Sequence, residues 1–284
     1  MKEKTKFTDS IIYNIIITYI CYEFVVGFIG SIFESVTSNS NSIFVNITHD
    51  YLIYTIPCII LFLALMYRKK NRYMYSKFKI KNNKIMLGLL IGFIMNAFCI
   101  MIAYITGSVT FSFNSVNVPI LLFAFMSIWI QSASEEIACR LFLYEKILKR
   151  CNKPVIAIII NSLFFSLLHL SNNGITLIAL ISIFAMGIIT SLVYVNNNNI
   201  WESIAIHTCW NFTQNFLFGL PNSGIPSSYS LFKLINSKNS FAYNTVFGVE
   251  ATFIAIAVIL LTSVLLYLYN SKKKKEYKEN IELI

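Results

Sequence analysis

Long apolar runs occupy most of this chain and restrict what it can become. "VPILLFAFMSIWI", Val118–Ile130, holds no charge, and comparable runs recur from one end to the other. A hydrocarbon layer about 30 Å thick is crossed by about 20 apolar residues of helix. In lipid every backbone polar group must be satisfied internally, which leaves helices or closed barrels. The runs are too long for barrel strands and lack their alternation. Spans are predicted over 10–33, 51–67, 85–106, 118–144, 154–170, 175–195, 200–219 and 248–270. The expected fold is an all-α membrane protein, a polytopic bundle of about eight transmembrane helices forming one membrane domain over 1–284. Charged residues make up 13%, against about 25% in soluble domains. The first run contains Glu23 and lacks a small-residue cleavage site, so it reads as a retained helix.

The net charge is +10, but its distribution argues against nucleic-acid binding. The cations cluster in short loops beside apolar runs. Segment 68–84 carries eight basic residues, 145–153 carries four, and the tail has "KKKK" at 272–275. Loops 34–50, 107–117 and 171–174 have none, and 220–247 has only Lys233 and Lys238. Basic loops mark the cytoplasmic side. The expectation is a multi-pass cell-membrane protein with both termini cytoplasmic. The basic loop 68–84 would rest on anionic lipid head groups. The abundance of Asn, Ile and Lys hints at an AT-rich bacterial genome, in which the Asn46-Ile-Thr48 sequon would be silent. The six cysteines form no CxxC pair and read as small packing residues.

Against this background four polar groupings need explaining, because ionisable groups at membrane depth are costly and face a bundle interior or water. In "EEIACR", Glu136 and Arg140 stand four residues apart on one helical face and can pair. Glu135 is turned about 100° away and left free. "FSLLH" places His169 one turn after Phe165, and "HTCWN" places His207 and Asn211 on adjacent turns. Asn14 and Glu23 in the first span read as interhelical hydrogen-bonding groups. Singly, each grouping has a structural reading: an ion pair, a helix-end histidine, an interhelical hydrogen bond. Together they supply a carboxylate that can take a proton from water, an imidazole that can relay it, and a His–Asn pair that can hold an oxyanion. Glu135, His169 and His207 also form the donor set of a catalytic zinc. Both sets suit amide hydrolysis. No GxSxG or HExxH motif is present.

In order, EExxxR, FxxxH and HxxxN resemble the CAAX-processing endopeptidase and bacteriocin-immunity (Abi, CPBP) family of intramembrane proteases. The similarity covers about residues 118–215, the expected catalytic core, and includes Gly187, Tyr194 and the Asn-rich turn between the second and third motifs. The resemblance implies that Glu135 activates water with His169 assisting. It also implies that Arg140 supports Glu136, and that His207 and Asn211 form the oxyanion hole. No cofactor is then needed, with zinc on Glu135, His169 and His207 as the alternative. The expected partners are membrane lipids and a membrane-associated peptide or protein substrate. Where many relatives carry an aromatic residue before the arginine and a glycine after it, this chain has Cys139 and Leu141.

Two other functions use the same polar residues: a non-catalytic immunity or signalling scaffold, and a proton-coupled transporter. The transporter finds no internal repeat to support it. One tension remains. Counted from the cytoplasmic side, His207 lies about 10 Å along its span and His169 about 22 Å along its own. They meet only if a helix is displaced or tilted, or if the span ends differ.

Overall fold

The computed structural model describes residues 10–37 and 42–282. It is a helical bundle with a small sheet at one end. The helices are α1 (Ile11–Thr37), α2 (Ile43–Tyr51), α3 (Thr55–Tyr67), α4 (Asn82–Ile105) and α5 (Val118–Glu136). They continue as α6 (Glu145–Cys151), α7 (Pro154–Leu167), α8 (Leu177–Asn197), α9 (Trp201–Phe212) and α10 (Phe253–Glu282). Among the described residues six stretches are long and apolar enough to cross a membrane: Ile11–Ile29, Ile43–Tyr67, Asn82–Ile105, Val118–Cys151, Leu177–Asn197 and Phe253–Lys272. The other two predicted spans are α7, which is shorter, and α9 with its π-helical extension Thr213–Leu217. The polytopic all-α class is as expected.

Several boundaries differ. The expected loop 34–50 is largely helix. α2 runs through it and bends into α3 at residues 52–54, so Asn46 lies within a helix. Apolar residues Ile47 and Tyr51 draw this segment into the bundle against α5. The basic stretch 68–84 is a 3-10 helix over Lys69–Phe78, with Met74 buried in the main core. The loops expected at 107–117 and 220–247 contain β1 (Val109–Phe113) and β2 (Phe232–Ser237), which pair antiparallel. The expected placement of both chain ends concerns residues 1–9 and 283–284, outside the described residues. In the "KKKK" tail the side chains beyond Lys272 also lie outside them.

The basic segments share one face. Lys77 bonds Asn198, and Lys81 reaches the Asn197 carbonyl at 3.4 Å. Lys146 donates to Asn71 at 2.8 Å, and Lys77 lies 3.6 Å from Glu145. The sheet and the turns 171–174 and 219–230 close the opposite face, where Asn172 donates to the Ser223 carbonyl at 3.0 Å.

This layering resolves the depth tension. α7 and α9 begin where predicted, but they do not begin at one level. Tyr194 donates to Glu145 at 2.6 Å, and the Ile200 amide donates to the Lys77 carbonyl at 3.2 Å, so Glu145 and the start of α9 share a layer. α6 then carries the chain six residues further, about 9 Å at helical rise, before α7 starts. From the common layer His169 is therefore about 13 Å up, Glu135 about 15 Å and His207 about 10 Å, within one helical turn of one another and near mid-membrane.

The most extensive helix pair is α4 with α9. It depends on Gly88 and Gly92, one turn apart. A Cβ on Gly88 would lie 2.7 Å from the Glu202 carbonyl oxygen and 2.8 Å from the Ala205 Cβ. One on Gly92 would collide with the Ile206 carbonyl oxygen. Small residues permit this backbone approach, and without a hydrophobic driving force in lipid the contact rests on close packing. Gly92→Val is expected to lower thermal stability in detergent by about 1–3 kcal/mol. Gly27→Val, where a Cβ would meet nothing within 4 Å, serves as the control. Equal melting temperatures would contradict this packing.

Candidate active site

The six predicted residues come from three places: the end of α5 and the turn after it, the end of α7, and α9. α5 does not stop at Glu136. It widens into a π-helical stretch, Ile137–Tyr144, and rejoins regular helix as α6. Such stretches are uncommon and recur at functional sites. Every residue in this one is buried, Arg140 completely.

Glu136 and Arg140 pair as expected. Arg140 Nε lies 3.3 Å from Glu136 Oε2, and both side chains are fully buried. The pair has three further partners. The Arg140 guanidinium sits over the Phe165 ring at 4.1 Å from its centroid, and its Nη2 reaches the Gly187 carbonyl at 3.4 Å. Glu136 Oε1 lies 3.1 Å from His207 Nδ1. The other nitrogen of that ring faces Glu135: His207 Nε2 stands 3.8 Å from Glu135 Oε2, too long for a direct hydrogen bond. One imidazole is thus held between both carboxylates, an arrangement the motif spacing did not disclose.

Glu135 is 5% exposed. Its Oε1 accepts from the Gln131 amide, one turn earlier. Its Oε2 has no hydrogen-bond partner. His169 sits just beyond α7, where its Nδ1 donates to the Phe165 carbonyl at 2.9 Å, leaving Nε2 as an acceptor. The Phe165 ring meets both imidazoles edge-on, 5.1 Å from His169 and 5.7 Å from His207 between centroids. Asn211 donates to Gln131 Oε1 at 3.4 Å and accepts from Asn222 at 3.3 Å.

Glu135, His169, His207 and Asn211 line one cavity of about 280 Å³, while Glu136 and Arg140 stand behind it. Its other walls include Tyr22 and Glu23 of α1, Tyr51 and Tyr54 around the α2–α3 bend, and the turns 171–173 and 222–225. Glu23, read from the sequence as an interhelical group, is therefore a cavity residue. Asn14 instead donates to the Ser10 carbonyl at 2.7 Å and lines a separate pocket with Arg68 and Lys146.

Residues 117–213 match the model of a family described as type II CAAX prenyl endopeptidase Rce1-like. Over this stretch, about a third of the chain, the sequence is similar to that family of intramembrane proteases. No curated protein and no solved structure matches it. The CAAX-protease match covers all three motifs up to Asn211 and stops before Asn222 and Glu250.

Motif reading therefore missed Gln131, Asn222 and Glu250. Gln131 lies four residues before Glu135, the spacing that joins neighbours on a helix, and could have been found that way. Asn222 and Glu250 lie in loops, joined to the site only by the fold. Asn222 donates to Glu250 Oε1 at 3.3 Å, and Ser223 donates to the same oxygen from its hydroxyl at 3.1 Å and from its amide. A run of hydrogen bonds thus connects Glu250, Asn222, Asn211, Gln131 and Glu135.

The zinc alternative requires three donors converging on one point. Among the described residues no cluster of three or more His, Cys, Asp or Glu side chains has that spacing. Both ring nitrogens of His207 face carboxylates. The reaction proposed for this site runs through no metal.

Removing Arg140 would leave Glu136 buried with its charge uncompensated. Arg140→Met is expected to destabilise the detergent-solubilised protein by about 3–5 kcal/mol, with partial recovery in Arg140→Met/Glu136→Gln. A single variant as stable as wild type would show that the pair contributes nothing. A second effect is set by pH. Glu250 lies outside the spans, and burial raises its carboxyl to about 7 from 4.5, only partly offset by the Ser223 hydrogen bonds. Between those values the folded state holds a proton that the unfolded chain releases, so stability is greatest at the acid end and falls as pH rises through about 7. Melting temperature should decline from pH 5 to 8, and Glu250→Gln should flatten that slope. An unchanged slope would refute it.

Proposed function

We propose that the chain is an intramembrane endopeptidase that hydrolyses a peptide bond of a membrane-associated peptide or protein through a water activated by Glu135. The observation that carries this reading is the pairing of orientations at His207. Its Nδ1 is engaged by the neutralised Glu136–Arg140 pair, and its Nε2 points at Glu135. The second acid fixes the ring, and the first remains available.

In the proposed reaction Glu135 Oε2 accepts a proton from water, and the water oxygen bonds to the substrate carbonyl carbon. The carbonyl π electrons move to its oxygen. Donors from Asn211 and His207 stabilise that oxyanion, since both groups open on the same cavity. The tetrahedral carbon then reforms its carbonyl as the C–N bond breaks, and the proton held by Glu135, shared with His169 Nε2, passes to the leaving nitrogen. Gln131 positions Glu135 through its amide. Phe165 spaces the two imidazoles and covers Arg140 with its ring face, which excludes water behind the acids.

The test is hydrolysis of an internally quenched membrane peptide by protein in lipid nanodiscs. Glu135→Gln preserves shape but removes the base. Turnover should fall by about 10²- to 10⁴-fold, with melting temperature near wild type. Asn211→Ala should cost about 10²- to 10³-fold in kcat. Full activity of Glu135→Gln would defeat the assignment, whereas peptide binding with no hydrolysis by the wild-type protein would favour the scaffold reading.

A further inference from the structure

The cavity has a direction. Its walls include the turns 171–173 and 222–225, on the face closed by the sheet, and none of the basic-face segments 68–81, 145–153 or 195–200. Toward the basic face, Glu135 is backed by Ile137–Tyr144, buried throughout and packed on Phe62, Met66 and Met74. A separate pocket on that side, lined by Arg68, Lys70, Asn71 and Lys146, shares no wall residue with the site cavity. Asn173, at the mouth, is exposed.

The cavity also has a charge. Glu23 and Glu135 line it, and no Lys or Arg does. Arg140, the nearest guanidinium, is fully buried behind Glu136 and Phe165. A free carboxylate entering this space would meet like charge and no cation to pair with, whereas an uncharged or cationic segment would meet none of that repulsion.

We infer that the site is served from the face opposite the basic loops, which by the distribution of Lys and Arg is extracytoplasmic, and that its substrate is an exported or outward-facing peptide segment, neutral or cationic beside the cleaved bond. This rests on the hydrolytic reading for the word substrate, but the sidedness is independent of it. An entry from this face places the cut on material that has already crossed the membrane.

Sidedness is tested without turnover. Asn173→Cys and Lys238→Cys report the mouth face, and Lys149→Cys the basic face; all three native residues are exposed. Right-side-out bacterial spheroplasts carrying the full chain are treated with a membrane-impermeant maleimide before or after lysis, with the unsubstituted protein as baseline. Labelling at 173 and 238 before lysis, and at 149 only after it, is expected. The reverse pattern, or labelling at 149 in intact spheroplasts, overturns the sidedness whether or not the protein is a protease. The charge assignment uses quenched peptides in nanodiscs carrying Lys or Glu beside the scissile bond. At least a tenfold higher kcat/KM for the Lys peptide is expected, and Glu23→Gln should narrow it. A preference for the Glu peptide overturns the charge assignment, while hydrolysis of neither overturns the hydrolytic reading and leaves the labelling result standing.

Discussion

Everything at the centre of this molecule depends on how two carboxylates and a guanidinium are held near mid-membrane. Isolated, each would cost several kcal/mol to bury. Glu136 and Arg140 neutralise one another at 3.3 Å, and the residual positive character of the guanidinium is met by the Phe165 face and the Gly187 carbonyl. Glu135 receives no such cation. It is tolerated because its two oxygens have different surroundings, one accepting from Gln131 and the other turned toward His207 and the cavity. The asymmetry between adjacent glutamates, identical in chemistry and opposite in surroundings, gives the site its chemical character.

That asymmetry requires the α5 helix to change pitch. In a regular α-helix, Glu135 and Glu136 are about 100° apart and residues beyond them follow in fixed register. The π-helical stretch from Ile137 to Tyr144 widens the turn where Arg140 must reach back to Glu136 while Phe142 still packs on Phe62. α9 supplies the facing surface. Its close seat against Gly88 and Gly92 of α4 sets the position of His207, since the same helical turns carry Glu202 and Ala205 onto Gly88 and Ile206 and Cys209 onto Gly92. A glycine pair on one helix thus helps place an imidazole on another.

Much of this could be read from the residues. The apolar runs disclosed the helices, and spacing alone paired Glu136 with Arg140. The order of three polar motifs pointed to the family whose model residues 117–213 match. What was hidden had common causes. α2 reads as loop in the sequence because Asn46, Thr48, His49 and Asp50 make it polar, although Ile47 and Tyr51 face the bundle. The depth mismatch between His169 and His207 came from assuming that all spans begin at one plane, whereas α6 carries the chain below it. The clamp on His207 and the link through Asn222 to Glu250 join residues 71 and 28 positions apart, and no periodicity reports contacts of that range. Gln131 is different: it was within one turn of Glu135 and went unread because a lone amide in a helix carries no distinctive signal.

The same arrangement that makes burial tolerable also decides where solvent comes from. The packed aromatics and aliphatics of Ile137–Tyr144 seal the Glu136–Arg140 pair from solvent on the basic face. Water needed by Glu135 must then reach it from elsewhere, and the polar residues that could line such a route, Asn172, Asn173, Asn222 and Ser223, are gathered on the opposite face. α7 contributes by being short. Ending at Leu167, it leaves the 168–176 segment below the level a full-length span would reach, so that polar turn lies over the site instead of at the membrane surface. Stability on one side and access on the other therefore have the same structural origin, and the site is one-sided because its acids are buried.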